Sequence, residues 1–374
     1  MTKPASYWRW LIAINAAIMI AGIAIKVTRA LPSLTYIHLL VDYHFGFIKR
    51  GLIGELLSLV TSKVSPWMVF ALGGATIVVT LLLYLKLFQK TFGFSERTLP
   101  LFVLIVGSPM FFKNFINCIG YFDIYGCALA IVLLLIPAES LAFVAFAVAG
   151  SIVLILIHHI HMLLYIPTVA AIVIVRYFLL RPVSRTQIAA ALVLAALVPA
   201  AFFYMQFAAT MHISREEFGA YLAGRMGGHG PETKALAFMF IWYQTLAGEI
   251  ATTRLFMPRN LAVSWFYVVL LALHAPLIGY FREVIRSLAS PGHRRIVLML
   301  LGTITLGYGI IFATVYDYAR WFSSWSVCMI LMLHAIKQLP AAEEARPIAT
   351  DDKLAFTLAS ILAFLPRVGI TKPF

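Results

Sequence analysis

The sequence predicts an all-α, polytopic membrane protein, and three observations predict it. Hydrophobic residues make up 62% of the 374 and charged residues only 12%, whereas soluble globular chains carry about 45–50% and about 25%. The apolar residues gather into long runs, and at 1.5 Å per residue such runs suffice to cross a hydrocarbon core of about 30 Å. Aromatic residues reach 14%, which suits a chain whose Trp and Tyr settle at membrane interfaces.

In chain order, ten runs read as spans: 8–28, 67–87, 98–113, 121–138, 140–157, 162–180, 188–206, 261–281, 296–315 and 321–336. The first follows Lys3 and Arg9 as a signal peptide would. No small-x-small cleavage site follows it cleanly, so a retained first helix is expected. An eleventh run, 354–366, is short and either crosses or lies in the interface. The apolar stretch 235–248 reads as a further span or as a helix on the surface. Between the first two spans, Leu52, Ile53, Leu56, Leu57 and Val60 recur at helical spacing, so 51–61 is expected to be an amphipathic helix lying along the membrane. The whole chain, 1–374, reads as one integral-membrane domain with a long connection over 207–260 and a C-terminal group of helices over 261–374. It shows no internal repeat and no soluble domain. Cys118, Cys127 and Cys328 are odd in number and scattered, which argues against a disulfide framework or a zinc site.

The formal charge is +14. No basic cluster sits on a recognisable module, so nucleic acid is not expected as a partner, and the positive loops are expected to meet a lipid bilayer with anionic headgroups. With the N-terminus cytoplasmic, Lys86, Lys90, Arg97, Arg181, Arg185, Arg282, Arg286, Arg294, Arg295 and Lys337 all fall on the cytoplasmic side in one consistent alternation. The outer connections then collect the polar residues that are most expensive beside hydrocarbon, and such residues point to function.

Five outer constellations stand out. In VDYHFGFIKRGLIGE, Asp42 precedes the surface helix, Lys49 and Arg50 open it, and Glu55 lies within it. Lys and Arg there can hold a phosphate while a carboxylate takes a hydroxyl proton; snorkelling basic residues with a local ion pair are the alternative. In YFDIYG, Asp123 begins a span, where it can join Asp42, hold a divalent cation or cap a helix. The HHIH run offers His158, His159 and His161, which are expected to hydrogen-bond or to contact phosphate in a cavity wall rather than to ligate zinc. The connection SREEFGAYLAGRMGGHGPE carries Arg225 and His229, which can close over a charged substrate or belong to an ordinary loop. Last, Asp317 and Arg320 stand three apart in YDYAR and can pair on one helix face or contact ligand.

This layout resembles the integral-membrane C-type glycosyltransferases, through VDYHFGFIKRG and YFDIYG within roughly the first 180 residues. That resemblance implies a glycosyltransferase-like module over 1–206, a polyprenyl-phosphate-linked sugar donor, a glycan or lipid acceptor, and a place in cell-surface polysaccharide or glycolipid assembly. It also implies a bacterial inner-membrane location with the active site facing the periplasm. Asp42 matches the first acidic position of the family and Asp123 the second. No DxD or ExD pair is present in either loop, so a divalent cation is only a candidate cofactor. On this reading Asp42 is the general base, Asp123 orients it or holds a cation, Lys49, Arg50 and Arg320 neutralise phosphate, and His158 or His161 contacts phosphate or sugar. Asp42→Asn is then expected to abolish transfer in a folded protein. A polysaccharide polymerase or ligase is the nearest alternative. A transporter or flippase of lipid-linked substrates is the more distant one, because its ionisable groups should reach the midplane and both faces.

Overall fold

The computed structural model describes residues 4–29, 32–227, 233–315 and 317–368. Among the described residues every named element is a helix, with no named strand and one isolated antiparallel bridge between Leu288 and Ala341. Twenty α-helices follow one another: α1 (Pro4–Arg29), α2 (Ser33–Leu40), α3 (Leu52–Ser58), α4 (Trp67–Thr91), α5 (Leu99–Val106), α6 (Phe112–Asn117), α7 (Asp123–Leu135), α8 (Leu141–Ile157), α9 (His161–Leu164), α10 (Ile166–Val173), α11 (Arg185–Phe203), α12 (Arg215–Met226), α13 (Thr233–Leu236), α14 (Phe240–Tyr243), α15 (Leu246–Ala262), α16 (Trp265–Leu273), α17 (Ala275–Arg286), α18 (Pro291–Thr314), α19 (Tyr318–Ile336) and α20 (Lys353–Phe364). Two π-helical segments, Ile174–Leu179 and Tyr204–Ala208, extend α10 and α11.

Among the described residues, five helical segments are long and apolar enough to cross a membrane: α1, α4, α11 with its π-helical extension, α18 and α19. The bent pair α15–α16, which turns through 57°, makes a sixth if it counts as one span. Most of α1 is exposed, whereas 89% of the apolar window of α19 is buried, so α19 is the central post of the bundle. Leu331, Met332, Leu333, Ala335 and Ile336 on α19 are all fully or almost fully buried, in one core with residues from α4, α7, α8, α10 and α18.

Proline explains most of the differences from the spans read in the sequence. Proline lacks an N–H and disfavours helix in the residue before it. The run 98–113 is helical only to Val106 and breaks across Gly107, Ser108 and Pro109 before α6 begins. The run 121–138 is helical as α7, which ends just before Ile136 and Pro137. Pro167 sits at the start of α10 and separates it from the short α9. The run 261–281 does not begin a helix at its N-terminal end: α15 already runs through Leu261, bends, and continues as α16. The stretch 235–248 contains two single-turn helices, α13 and α14, rather than one long element.

Of the helix expected over 51–61, Leu52–Ser58 is helical. Ile53 and Leu57 pack on a small core built by Ile37, Val41, Ile48 and Val64, while Leu56 and Val60 are exposed. Gly54 is required at the contact, because a Cβ there would meet the Val41 carbonyl oxygen at 1.9 Å. The C-terminal helix α20 is docked rather than loose. The buried Lys113 ammonium donates to the carbonyls of Leu362 (3.1 Å), Ala363 (2.6 Å) and Leu365 (3.1 Å), at the negative end of the α20 dipole.

Candidate functional site

One end of the bundle gathers the loops after α2, α6 and α8, the end of α11, the start of α15 and the start of α19 around a cavity of about 370 Å³. That volume is within the range of small-molecule sites. The polar floor is made by His38, Arg50, Asp123, His158, His159, Asp317 and Arg320, with Tyr121 and Trp321 beside them.

Arg320 is the centre of this floor. Its Nε lies 3.0 Å from Asp123 Oδ2 and its Nη1 3.4 Å from Asp317 Oδ2, and all three side chains are about nine-tenths or more buried. The guanidinium also lies over the Trp321 ring at 3.9 Å and the Tyr121 ring at 4.6 Å. An arginine in the first turn of a helix opposes the helix dipole. Two carboxylates outweigh that cost, and Asp123, in the first turn of α7, is itself on the favourable side of its own helix dipole. The Asp317–Arg320 pair read from the spacing of YDYAR is present, and Asp123 joins it from nearly two hundred residues away.

The HHIH run is a turn, not a helix. His158 caps the end of α8 with extended backbone, and its Nδ1 accepts from the Ile160 N–H at 3.3 Å. The turn turns both His158 and His159 to the cavity; His161 starts α9, is fully buried and does not line it. Burial, followed by the Arg50 charge, pushes His38, His158 and His159 well below the ordinary histidine range. They therefore meet a ligand as neutral imidazoles. Among the described residues, no three His, Cys, Asp or Glu side chains are grouped to hold a metal ion.

Arg50 reaches the floor from a strained backbone. It is the one non-glycine residue among those described with positive φ, at 60°, and its Nη1 lies 3.3 Å from His38 Nε2. Left-handed backbone costs a residue with a Cβ roughly 1–2 kcal/mol, and such strain clusters at functional sites. Trp242 Nε1 donates to the Lys49 carbonyl at 2.7 Å and holds the strained segment down. Lys49 itself is buried, with Nζ 3.5 Å from the Gln244 carbonyl; burial lowers its pKa, which the nearby Glu249 opposes. Arg50→Gly is expected to raise the thermal midpoint in detergent through relief of strain, while weakening retention of a phosphate-bearing ligand at least tenfold. A midpoint that falls would show that Arg50 is structural.

Asp42 does not line the cavity. Its Oδ2 forms an ion pair with Arg225 and accepts from Tyr221 Oη at 2.7 Å, and its Oδ1 accepts from the His44 N–H at 3.1 Å. The His44 ring stacks on Tyr221 with centroids 4.5 Å apart. Burial and then the Asp42 hydrogen bond push Tyr221 up to about 12. Glu55 is likewise occupied, with Oε2 accepting from the Tyr43 N–H at 3.0 Å. Two candidates from separate loops, Asp42 and Arg225, thus meet each other and tie α12 to the segment after α2. His229 lies outside the described residues.

The remaining walls are mostly apolar, with Gln206, Gln244, Glu249, Thr253 and Thr314 among them. Phe202, Phe203 and Phe207 at the end of α11, Leu246 and Ile250 on α15, and Ile310, Ile311 and Val315 at the end of α18 line the same cavity. Phe203, Phe207, Leu246 and Ile310 are also exposed on the outside of the bundle. The cavity therefore joins a charged floor to an apolar flank on helices with the length and composition of membrane spans. Sequence reading missed His38, Trp321, Gln244 and Glu249 among the lining residues.

Fold and site together define an all-α integral membrane protein with a buried charged cavity at one end. No family model, no curated protein and no solved structure matches the chain.

Proposed function

We propose that the protein is a membrane glycosyltransferase, similar to the C-type enzymes, that moves a sugar from a polyprenyl-phosphate-linked donor to a glycan or lipid acceptor. The observation that carries this reading is a cavity in which a floor with two arginines and neutral imidazoles meets an apolar flank between α11, α15 and α18. An amphiphile with a charged head and an isoprenoid tail fits that division. The tail lies along Phe203, Phe207 and Ile310, the phosphate meets Arg50, and His158 and His159 hydrogen-bond to phosphate or sugar oxygens. Trp321 Nε1, which is buried without a partner among the described residues, offers one further donor at this wall.

On this reading the shorter apolar helices cross the bilayer with the long ones, in ten or eleven passages. Helix α3 lies at the outer interface, and the cavity faces the periplasm of a bacterial inner membrane. Purified protein in lipid nanodiscs is expected to release labelled sugar from a panel of polyprenyl-phosphate donors to an acceptor extract. Absence of release from every monosaccharide donor, with release from oligosaccharide-lipid, would assign the protein to the polymerases and ligases instead.

A further inference from the structure

We infer that Glu249 is the general base of the transfer, an assignment that rests on the glycosyltransferase reading above. Four carboxylates stand near the candidate site, and three are already engaged. Asp42 is off the cavity wall and bound by Arg225 and Tyr221. Asp123 and Asp317 share Arg320. Glu249 lines the cavity, is only partly buried, and has no ion pair among the described residues.

Its setting is unusual for a carboxylate. Leu246, Glu249, Ile250 and Thr253 line the cavity from one face of α15, at the i, i+3, i+4, i+7 positions. A structural role on such a stripe would be filled by an apolar side chain, and an ionisable group there is a functional candidate. Thr245 caps the helix by accepting from the Gly248 N–H at 3.2 Å, which fixes the rotation that turns Glu249 inward. Arg50 lines the same cavity as Glu249, whereas Lys49, near enough to Glu249 to feel its charge, does not line it.

In the step, the Glu249 carboxylate accepts the proton of an acceptor hydroxyl. The hydroxyl oxygen forms its bond to the anomeric carbon as the bond from that carbon to the phosphate oxygen breaks. The electron pair leaves with the polyprenyl phosphate, whose added negative charge Arg50 meets. The proton on Glu249 then passes to water. One displacement inverts the anomeric configuration.

The test is steady-state turnover by the full-length protein in nanodiscs with a polyprenyl-phosphate sugar donor. Glu249→Gln is expected to lower kcat by about 10²–10⁴-fold, the usual share of a general base, with the donor KM within threefold of wild type. Glu249→Ala is expected to regain part of the lost kcat on addition of formate, which a purely structural glutamate would not allow. Wild-type kcat in Glu249→Gln, or a raised KM with unchanged kcat, overturns the assignment alone. The same holds if Glu249→Gln fails to fold and Glu249→Ala gains nothing from formate. No sugar release by wild type from any lipid donor overturns the enzymatic reading and this assignment with it.

Discussion

Arg320→Met should be the most damaging single substitution in the cavity. It leaves Asp123 and Asp317, both buried, without the guanidinium they share. Removing one partner of a buried ion pair costs about 3–5 kcal/mol, because the remaining charge is uncompensated. Thermal unfolding in detergent measures the loss. Arg320→Lys should recover only part of it, since a single ammonium cannot present the planar fork that meets two carboxylates at 3.0 Å and 3.4 Å. The triple change Asp123→Asn, Arg320→Met, Asp317→Asn should recover stability more completely, because no buried charge is then left alone. If Arg320→Met unfolds at the wild-type midpoint, the three residues are not coupled as the geometry requires.

Arg225→Met should have the second large effect, and its combination with Asp42→Asn separates two roles for Asp42. The pair joins α12 to the segment after α2, with both side chains 6% exposed. Loss of the arginine alone leaves a buried carboxylate, for which about 3–5 kcal/mol is again the expected cost. The double variant removes both charges, so its loss of stability should fall short of the sum of the single losses by about 0.5–3 kcal/mol in a double-mutant cycle. Turnover then decides the role. If Asp42 serves only to hold α12, the double variant regains activity together with stability. If Asp42 is a base, as the resemblance implies, the double variant folds and stays inactive.

Much of the site was legible residue by residue, and little of it pair by pair. Arg50, Asp123, His158, Asp317 and Arg320 were all marked as costly polar residues at one end of the helices, and all five line the cavity. The Asp317–Arg320 pair was readable because three residues on one helix fix its distance. The Asp42–Arg225 and Asp123–Arg320 pairs were not, because sequence separations of 183 and 197 residues carry no distance until the helices pack. Glu249 was hidden for a different reason. The segment 246–262 mixes Thr, Arg, Pro and Asn with its apolar residues and so reads as connection, although it folds as a helix whose inner face meets the cavity.

The sequence by itself determined the class of structure. Its excess of apolar residues has no stable solution in water, and backbone groups within a bilayer must be satisfied internally, which for these runs means helices. Its prolines did not by themselves locate the breaks: the helices stop at Pro109, Pro137 and Pro167, inside runs that read as continuous spans, whereas Pro199 and Pro258 lie within helices. Only the tertiary structure decided which polar residues share a cavity, because that depends on helix rotation. On α15 a turn of about 100° between neighbouring residues puts Glu249 on the cavity wall and leaves Gly248 off it, and packing between helices, not local composition, sets that rotation.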